Sequence, residues 1–175
     1  MIFWRVEEKM ILYPNEHFDK VEQITIEFLQ KNKIKALILD VDNTLIDYNR
    51  KMEESIIDWA KKMKGQGIKL YILSNTNHKE KVEEVANRLE IPYQNLAKKP
   101  LKMGFLKVQK ELAEKPENIG VVGDQIFTVV IGGNRCNMFT ILVEPIDKKD
   151  FWYTAWKRPL ENKIKENYKQ KTKEK

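Results

Sequence analysis

The sequence predicts a three-layer α/β/α fold on a parallel sheet, and three observations carry that prediction. Short, mostly continuous apolar runs recur along the chain, as expected of strands covered on both faces. Stretches with helical periodicity separate them, about the length of crossovers between parallel strands. The chain has 175 residues, enough for one domain, and 42% are apolar with only 7 Gly and 6 Pro, which excludes disorder or a fibre.

The elements follow in order. Residues 15–31 read as a helix, because Phe18, Val21, Ile24, Phe28 and Leu29 recur at spacings of three and four with Asn15 as a possible cap. The strand candidates are Lys35–Val41, Lys69–Leu73, Pro92–Leu96, Ile119–Gly123 and Phe139–Val143. Helical stretches lie near 52–64, 78–90, 101–114 and 125–135; Gly65 and Gly67 stop the first and Pro116 the third. The expected division is a core over 1–146, opening with the N-terminal helix, and an aromatic, basic helical tail over 147–175.

The net charge of +6 is concentrated in that tail. From residue 147 to 175 ten basic residues face five acidic ones, a balance of +5. Phe151, Trp152, Tyr153 and Trp156 sit in the same segment. One reading is a helix docked by its aromatics and ending in solvated lysines; the other is a surface for an anionic membrane or nucleic acid. No apolar run approaches the roughly 20 residues that span a bilayer. Met1-Ile2-Phe3-Trp4-Arg5 meets Glu7, Glu8 and Lys9 too soon for a signal peptide. A cytoplasmic protein is the expectation, with possible peripheral contact at a membrane surface. Cys136 is the single cysteine, so no internal disulfide forms, and His17 and His78 lack metal-ligand spacing to a partner.

In open parallel sheets ligands bind beyond the carboxyl ends of the strands. The polar residues directly after each run are therefore the candidates: Asp40-Val41-Asp42-Asn43-Thr44, then Ser74-Asn75, then Lys98-Lys99-Pro100, then Gly123-Asp124-Gln125. Two carboxylates two residues apart can divide labour, one attacking and the other exchanging a proton. Asp124 would complete an oxygen-rich site of the kind Mg²⁺ prefers. Ser74 and Lys99 would meet phosphoryl oxygens with a hydroxyl and a charge. The bland alternatives are turn residues at Asp40 and Asp42, a helix cap at Ser74-Asn75-Thr76-Asn77, and a surface charge at Lys99.

This ordered set resembles the haloacid dehalogenase (HAD) superfamily of phosphotransferases. Its first motif, D-x-D-x-T, matches Asp40, Asp42 and Thr44; the second matches Ser74; the third matches Lys99, with Lys98 as fallback; the fourth matches Asp124. Gly123–Thr128, Gly132-Gly133-Asn134-Arg135 and Thr140–Ile146 further resemble the YqeG-type branch of subfamily IIIA, whose relatives include a mitochondrial phosphatidylglycerophosphate phosphatase. The resemblance implies a Rossmann-like core of strand order 5-4-1-2-3. It also implies a phosphomonoester hydrolase with an aspartyl-phosphate on Asp40 and Asp42 as general acid and base. Mg²⁺ would be held by Asp40, the Asp42 carbonyl and Asp124. Thr44, Asn75 and Arg135 are the candidate substrate contacts, with an ion pair as the alternative role for Arg135.

Relatives carry a second acid five residues after the motif-four Asp, where this chain has Val129. Loss of such a partner costs about 10–100-fold in metal affinity or activity. The expectation is a working enzyme that needs more magnesium, and Val129→Asp should lower that need. The alternative is a catalytically weakened binding or regulatory protein. Between Asp42 and Ser74 lie 31 residues, and between Asn75 and Lys98 lie 22, too few for a cap domain. An open site favours a large or surface-held substrate, such as a phospholipid head group or a phosphoprotein. A nucleic-acid end is the less favoured substrate, since it requires the tail to bind polyanions with a steep salt dependence.

Overall fold

A computed structural model describes residues 11–147 and 157–173. Phe3, Trp4, Phe151, Trp152, Tyr153 and Trp156, the aromatic residues of the possible membrane contact, lie outside the described residues. Six strands form one parallel sheet: β1 (Glu16–Phe18), β2 (Ala36–Leu39), β3 (Lys69–Leu73), β4 (Tyr93–Gln94), β5 (Ile119–Gly123) and β6 (Phe139–Val143). Their order is β1-β6-β5-β2-β3-β4. The five expected strands thus stand in the expected order, with one strand added at the edge.

Among the described residues the named helices are α1 (Ile26–Lys31), α2 (Glu54–Gly65), α3 (Lys79–Leu89), α4 (Lys102–Leu112), α5 (Ile131–Arg135) and α6 (Arg158–Lys173). Successive strand residues face opposite sides of a sheet, and this sheet is apolar on both. Leu37, Leu39, Ile72 and Val122 pack with Leu29, Trp59, Met63 and Val82 of α1, α2 and α3. Ala36, Ile38, Tyr71, Leu73 and Val121 pack on the other side with Phe105 and Val108 of α4. Burial on both faces is what the continuous apolar runs encode.

Residues 15–31 do not form one helix. Asn15 donates its backbone N–H to the Thr140 carbonyl at 2.9 Å and accepts from the Thr140 N–H through its side chain at 2.8 Å. That double contact draws Glu16, His17 and Phe18 into register with Ile141, Leu142 and Val143. The edge of β6 is thereby paired rather than open. Helix α1 starts only at Ile26, where Thr25 caps it by accepting from the Phe28 N–H at 3.1 Å. The aromatic spacing that reads as a helical face brings Phe18 edge-on to Phe28 at 5.1 Å, strand against helix.

The third expected strand shrinks to Tyr93–Gln94, because Leu96 adopts a left-handed backbone (φ 51°) that ends extended pairing. The stretch 125–135 opens as a wide π-helical turn (Ile126–Val130) before α5. No helix among the described residues is long and apolar enough to cross a membrane.

Candidate active site

The carboxyl ends of β2, β3 and β5 open into a cleft of about 700 Å³. β2 delivers Asp40, fixed by its own N–H donating to the Val122 carbonyl at 2.9 Å. Past it the chain folds back: Asn43 is left-handed (φ 58°), its N–H donates to the Ile46 carbonyl, and Ile46 N–H returns to Val41. Asn tolerates that backbone well. The turn leaves Asp40 and Asp42 on the cleft wall. β3 delivers Ser74 to the same wall, buried, its Oγ accepting from the Thr76 N–H at 3.3 Å.

Lys99 reaches the site from the loop between β4 and α4. Its side chain is 3% exposed, and Nζ lies 2.7 Å from Asp40 Oδ1 while donating to the Leu73 carbonyl at 2.7 Å. Lys98 is exposed with a left-handed backbone, and of the two lysines it is Lys99 that lines the cleft. Asn75 lines the cleft and brackets Lys99: its Oδ1 accepts from the Lys99 N–H at 2.7 Å, and its Nδ2 donates to the Lys99 carbonyl at 3.0 Å. Asp40 Oδ1 also accepts from the Val41 N–H at 3.0 Å.

Asp124 directly follows β5, fully buried, and is tied to the cleft through Arg158, which lines it. Burial pushes its carboxyl up to about 7, and the nearby Asp40 charge adds to the shift while Arg158 opposes it. Its Oδ2 accepts from Arg158 Nη2 at 2.9 Å; its Oδ1 is buried with no hydrogen-bond partner among the described residues.

Two predicted contacts are not at the cleft. Thr44 is buried in the turn, its Oγ1 likewise without a partner among the described residues, and it does not line the cleft. Arg135 is exposed on the last residue of α5. That helix runs back toward the amino end of β6, so Arg135 lies at the far end of the sheet. Val129 is buried in the apolar layer with Phe105 and Val121, beside Gly123.

Three site residues escape the sequence reading. Lys81, one turn into α3, lies 2.6 Å from Asp42 Oδ1. A basic residue in the first turn after the Ser74 loop is the only sequence signal for it. Arg158 and Glu161 come from the tail helix, where an i,i+3 pair within a basic run reads as solvated surface.

A model of the mitochondrial PGP phosphatase family matches residues 2–147, which takes in every element from β1 to β6. The chain belongs to this family. YqeG of Bacillus subtilis (strain 168), named a probable phosphatase, is 35% identical over 164 residues, covering 93% of this chain and 95% of that one. Solved structures agree on the fold. An uncharacterized protein from Listeria monocytogenes serotype 4b superposes with TM-score 0.55 at 19% identity, over 67% of this chain and 85% of the other. A Streptomyces avermitilis MA-4680 protein assigned to the HAD family hydrolases superposes with TM-score 0.50 at 19% identity, over 63% and 67% of the two chains. This PGP phosphatase family member is thus a YqeG-type phosphatase.

Proposed function

We propose that the protein hydrolyses a phosphomonoester through a covalent aspartyl-phosphate on Asp40, with Asp42 as general acid and then base, and that Mg²⁺ is its cofactor. The observation that supports the reading is the placement of Asp40 and Asp42 on one turn at the cleft wall, with Ser74 and Lys99 on the same wall and the buried Asp124 near enough to feel the Asp40 charge.

The donor set suits magnesium. Among the described residues no three His, Cys, Asp or Glu side chains gather as a metal cluster. The set used here is different: the carboxylates of Asp40 and Asp124 with the carbonyl of Asp42, and Mg²⁺ favours few carboxylates completed by water and phosphate. The buried, unpartnered Oδ1 of Asp124 is the oxygen a cation would satisfy. Bound there, the ion supplies positive charge against the phosphate.

The chain's own residues do the rest. Lys99 and the Val41 N–H hold Asp40 by Oδ1, so the other oxygen, Oδ2, attacks phosphorus. The ester oxygen departs with a proton from Asp42. Asp42 then takes a proton from water, the hydroxide displaces phosphate from Asp40, and the carboxylate is regenerated. Lys81 holds Asp42 by Oδ1, which leaves the second oxygen for the proton. Ser74 Oγ and Lys99 face the phosphoryl oxygens.

The substrate we propose is the head group of phosphatidylglycerophosphate at an anionic bilayer. Large apolar side chains are exposed on the elements that carry the cleft residues: Tyr48, Leu96, Leu101 and Ile146 on loops and Leu160 on α6. Tyr48 lines the cleft, Leu96 N–H donates to Thr76 and Ile146 N–H to Asn43, both cleft residues. Arg50, Lys98 and Lys102 stand exposed near them, each able to add about 1 kcal/mol at an anionic surface.

The test compares phosphate release from phosphatidylglycerophosphate in vesicles with release from sugar, nucleotide and peptide phosphates in Mg²⁺ buffer. The lipid should be preferred, EDTA should stop release, and Asp40→Asn should abolish it with the fold intact. Retained activity in Asp40→Asn removes the covalent step. Ligand binding without turnover in the parent protein points instead to the weakened binding protein, and indifference to vesicle charge removes the membrane contact.

A further inference from the structure

We infer that Arg158 and Glu161, on a helix that starts 34 residues after Asp124, are positioning residues of the active site. They hold the Asp124 carboxylate and the turn that follows it in the geometry that receives the cation. The inference rests on Asp124 being a metal-holding carboxylate, as proposed above.

Hydrogen bonds of Arg158 and Glu161 join α6 to this turn. Arg158 donates through Nη2 to Asp124 Oδ2 at 2.9 Å and through Nη1 to Glu161 Oε2 at 3.3 Å. Glu161, 2% exposed, accepts through Oε1 from the N–H groups of Ile126 at 3.0 Å and Phe127 at 3.2 Å. Those N–H groups begin the helical turn directly after Asp124 and lack carbonyl partners within it. Ile164, one turn further along α6, is buried with Ile126, Val130 and Leu142. Side chain, main chain and apolar face are thus fixed from one external helix.

The chemistry explains why this matters for the cation. A buried carboxylate with one oxygen held by a guanidinium nitrogen is restricted in rotation, so its second oxygen has a preferred direction. Oδ1 is that second oxygen, and it is the unpartnered one. Val129, in apolar packing beside Gly123, offers Asp124 no polar support from its own helix. Arg158 spans two anions with separate nitrogens, which the point charge of lysine does not reproduce.

The experiment measures Mn²⁺ affinity by the electron paramagnetic resonance signal of free Mn²⁺, on the full chain and without substrate. The parent protein should bind and Asp124→Asn should not. Arg158→Met should bind about tenfold more weakly, and Arg158→Lys should fail to restore the loss. In Glu161→Ala, hydrogen exchange at the Ile126 and Phe127 amides should lose its protection, whereas exposed Asn162→Ala should change neither readout. If Arg158→Met does not fold, Arg158→Lys carries the measurement. Unchanged binding in a folded Arg158 variant overturns the inference with the metal reading intact. Tighter binding also overturns it, because Arg158 would then compete with the cation. Absence of Mn²⁺ binding by the parent protein removes the metal reading, and the inference falls with it.

Discussion

Lys99 is the residue whose removal tests the electrostatics of the cleft most directly. Its Nζ lies 2.7 Å from Asp40, with the two side chains only 3% and 12% exposed. Breaking so buried a pair by deleting one partner leaves an uncompensated charge and costs about 3–5 kcal/mol. In Lys99→Met the Leu73 carbonyl also loses its donor, and Asp40 faces the Asp124 carboxylate without its cation. For a chain of this size each kcal/mol is worth roughly 2–4 °C of Tm, so a fall of about 6–20 °C is expected. Measured in EDTA, no added cation can substitute for the lysine. The Asp40→Asn/Lys99→Met double variant removes both charges, so its loss should be smaller than the sum of the single losses by about 1–3 kcal/mol. Urea unfolding of the four proteins at matched m-values gives the coupling. Additive single effects, or a Lys99→Met Tm within about 2 °C of the parent, would show that the contact contributes little.

Three further outcomes follow from contacts away from the chemistry. The His17 hydrogen bond, helped by Lys165, holds the Glu144 carboxyl down at about 2 from an ordinary 4.5, against the effect of burial. A lowered carboxyl pKa stabilises the fold fully above 4.5 and loses that contribution as pH falls from 4.5 to about 2. Glu144 is 36% exposed, so screening limits the term to about 1 kcal/mol or less. Glu144→Gln should therefore narrow the drop in urea midpoint between about pH 6 and about pH 3, and an unchanged drop refutes the assignment. Gly132→Ala puts a methyl into the buried ring of Phe105, an overpacking cost of about 1–3 kcal/mol that thermal melting should register, whereas an unshifted Tm would mean the helices separate freely. Trp59→Phe deletes the 2.9 Å bond from the indole N–H to the buried Ile24 carbonyl, and about 1–3 kcal/mol should be lost; a neutral result would mean water reaches that carbonyl.

The parallel sheet was legible because both of its faces are buried, which turns each strand into a continuous apolar run. The same logic located Asp40, Asp42, Ser74, Lys99 and Asp124, since a parallel sheet gathers the residues that follow its runs at one edge. Strand β1 was illegible for a physical reason. Three residues carry no measurable period, and what makes them a strand is the contact of Asn15 with Thr140, 125 positions away. Thr44 and Arg135 match motif positions, but the tight turn buries the first and the return of α5 carries the second to the far end. Arg158 and Glu161 were hidden because a charged pair in a basic tail differs from solvated neighbours only by what it docks against.

Taken together, the three acids of the site share one property: each is paired with a base from a different element. Asp40 has Lys99 from the loop before α4, Asp42 has Lys81 from α3, and Asp124 has Arg158 from α6. Three carboxylates collected at one sheet edge would otherwise repel one another in a partly desolvated cleft. Within these three pairs the charges cancel, Arg158 serving Glu161 as well, and the acids are fixed in direction rather than merely tolerated. On the proposed chemistry, a divalent cation and a phosphate dianion bring opposite charges of equal size, so the pair enters without upsetting that balance. Either one alone would leave the cleft charged. The arrangement therefore favours their joint occupancy, and the base from α6 makes the C-terminal helix part of the condition for it.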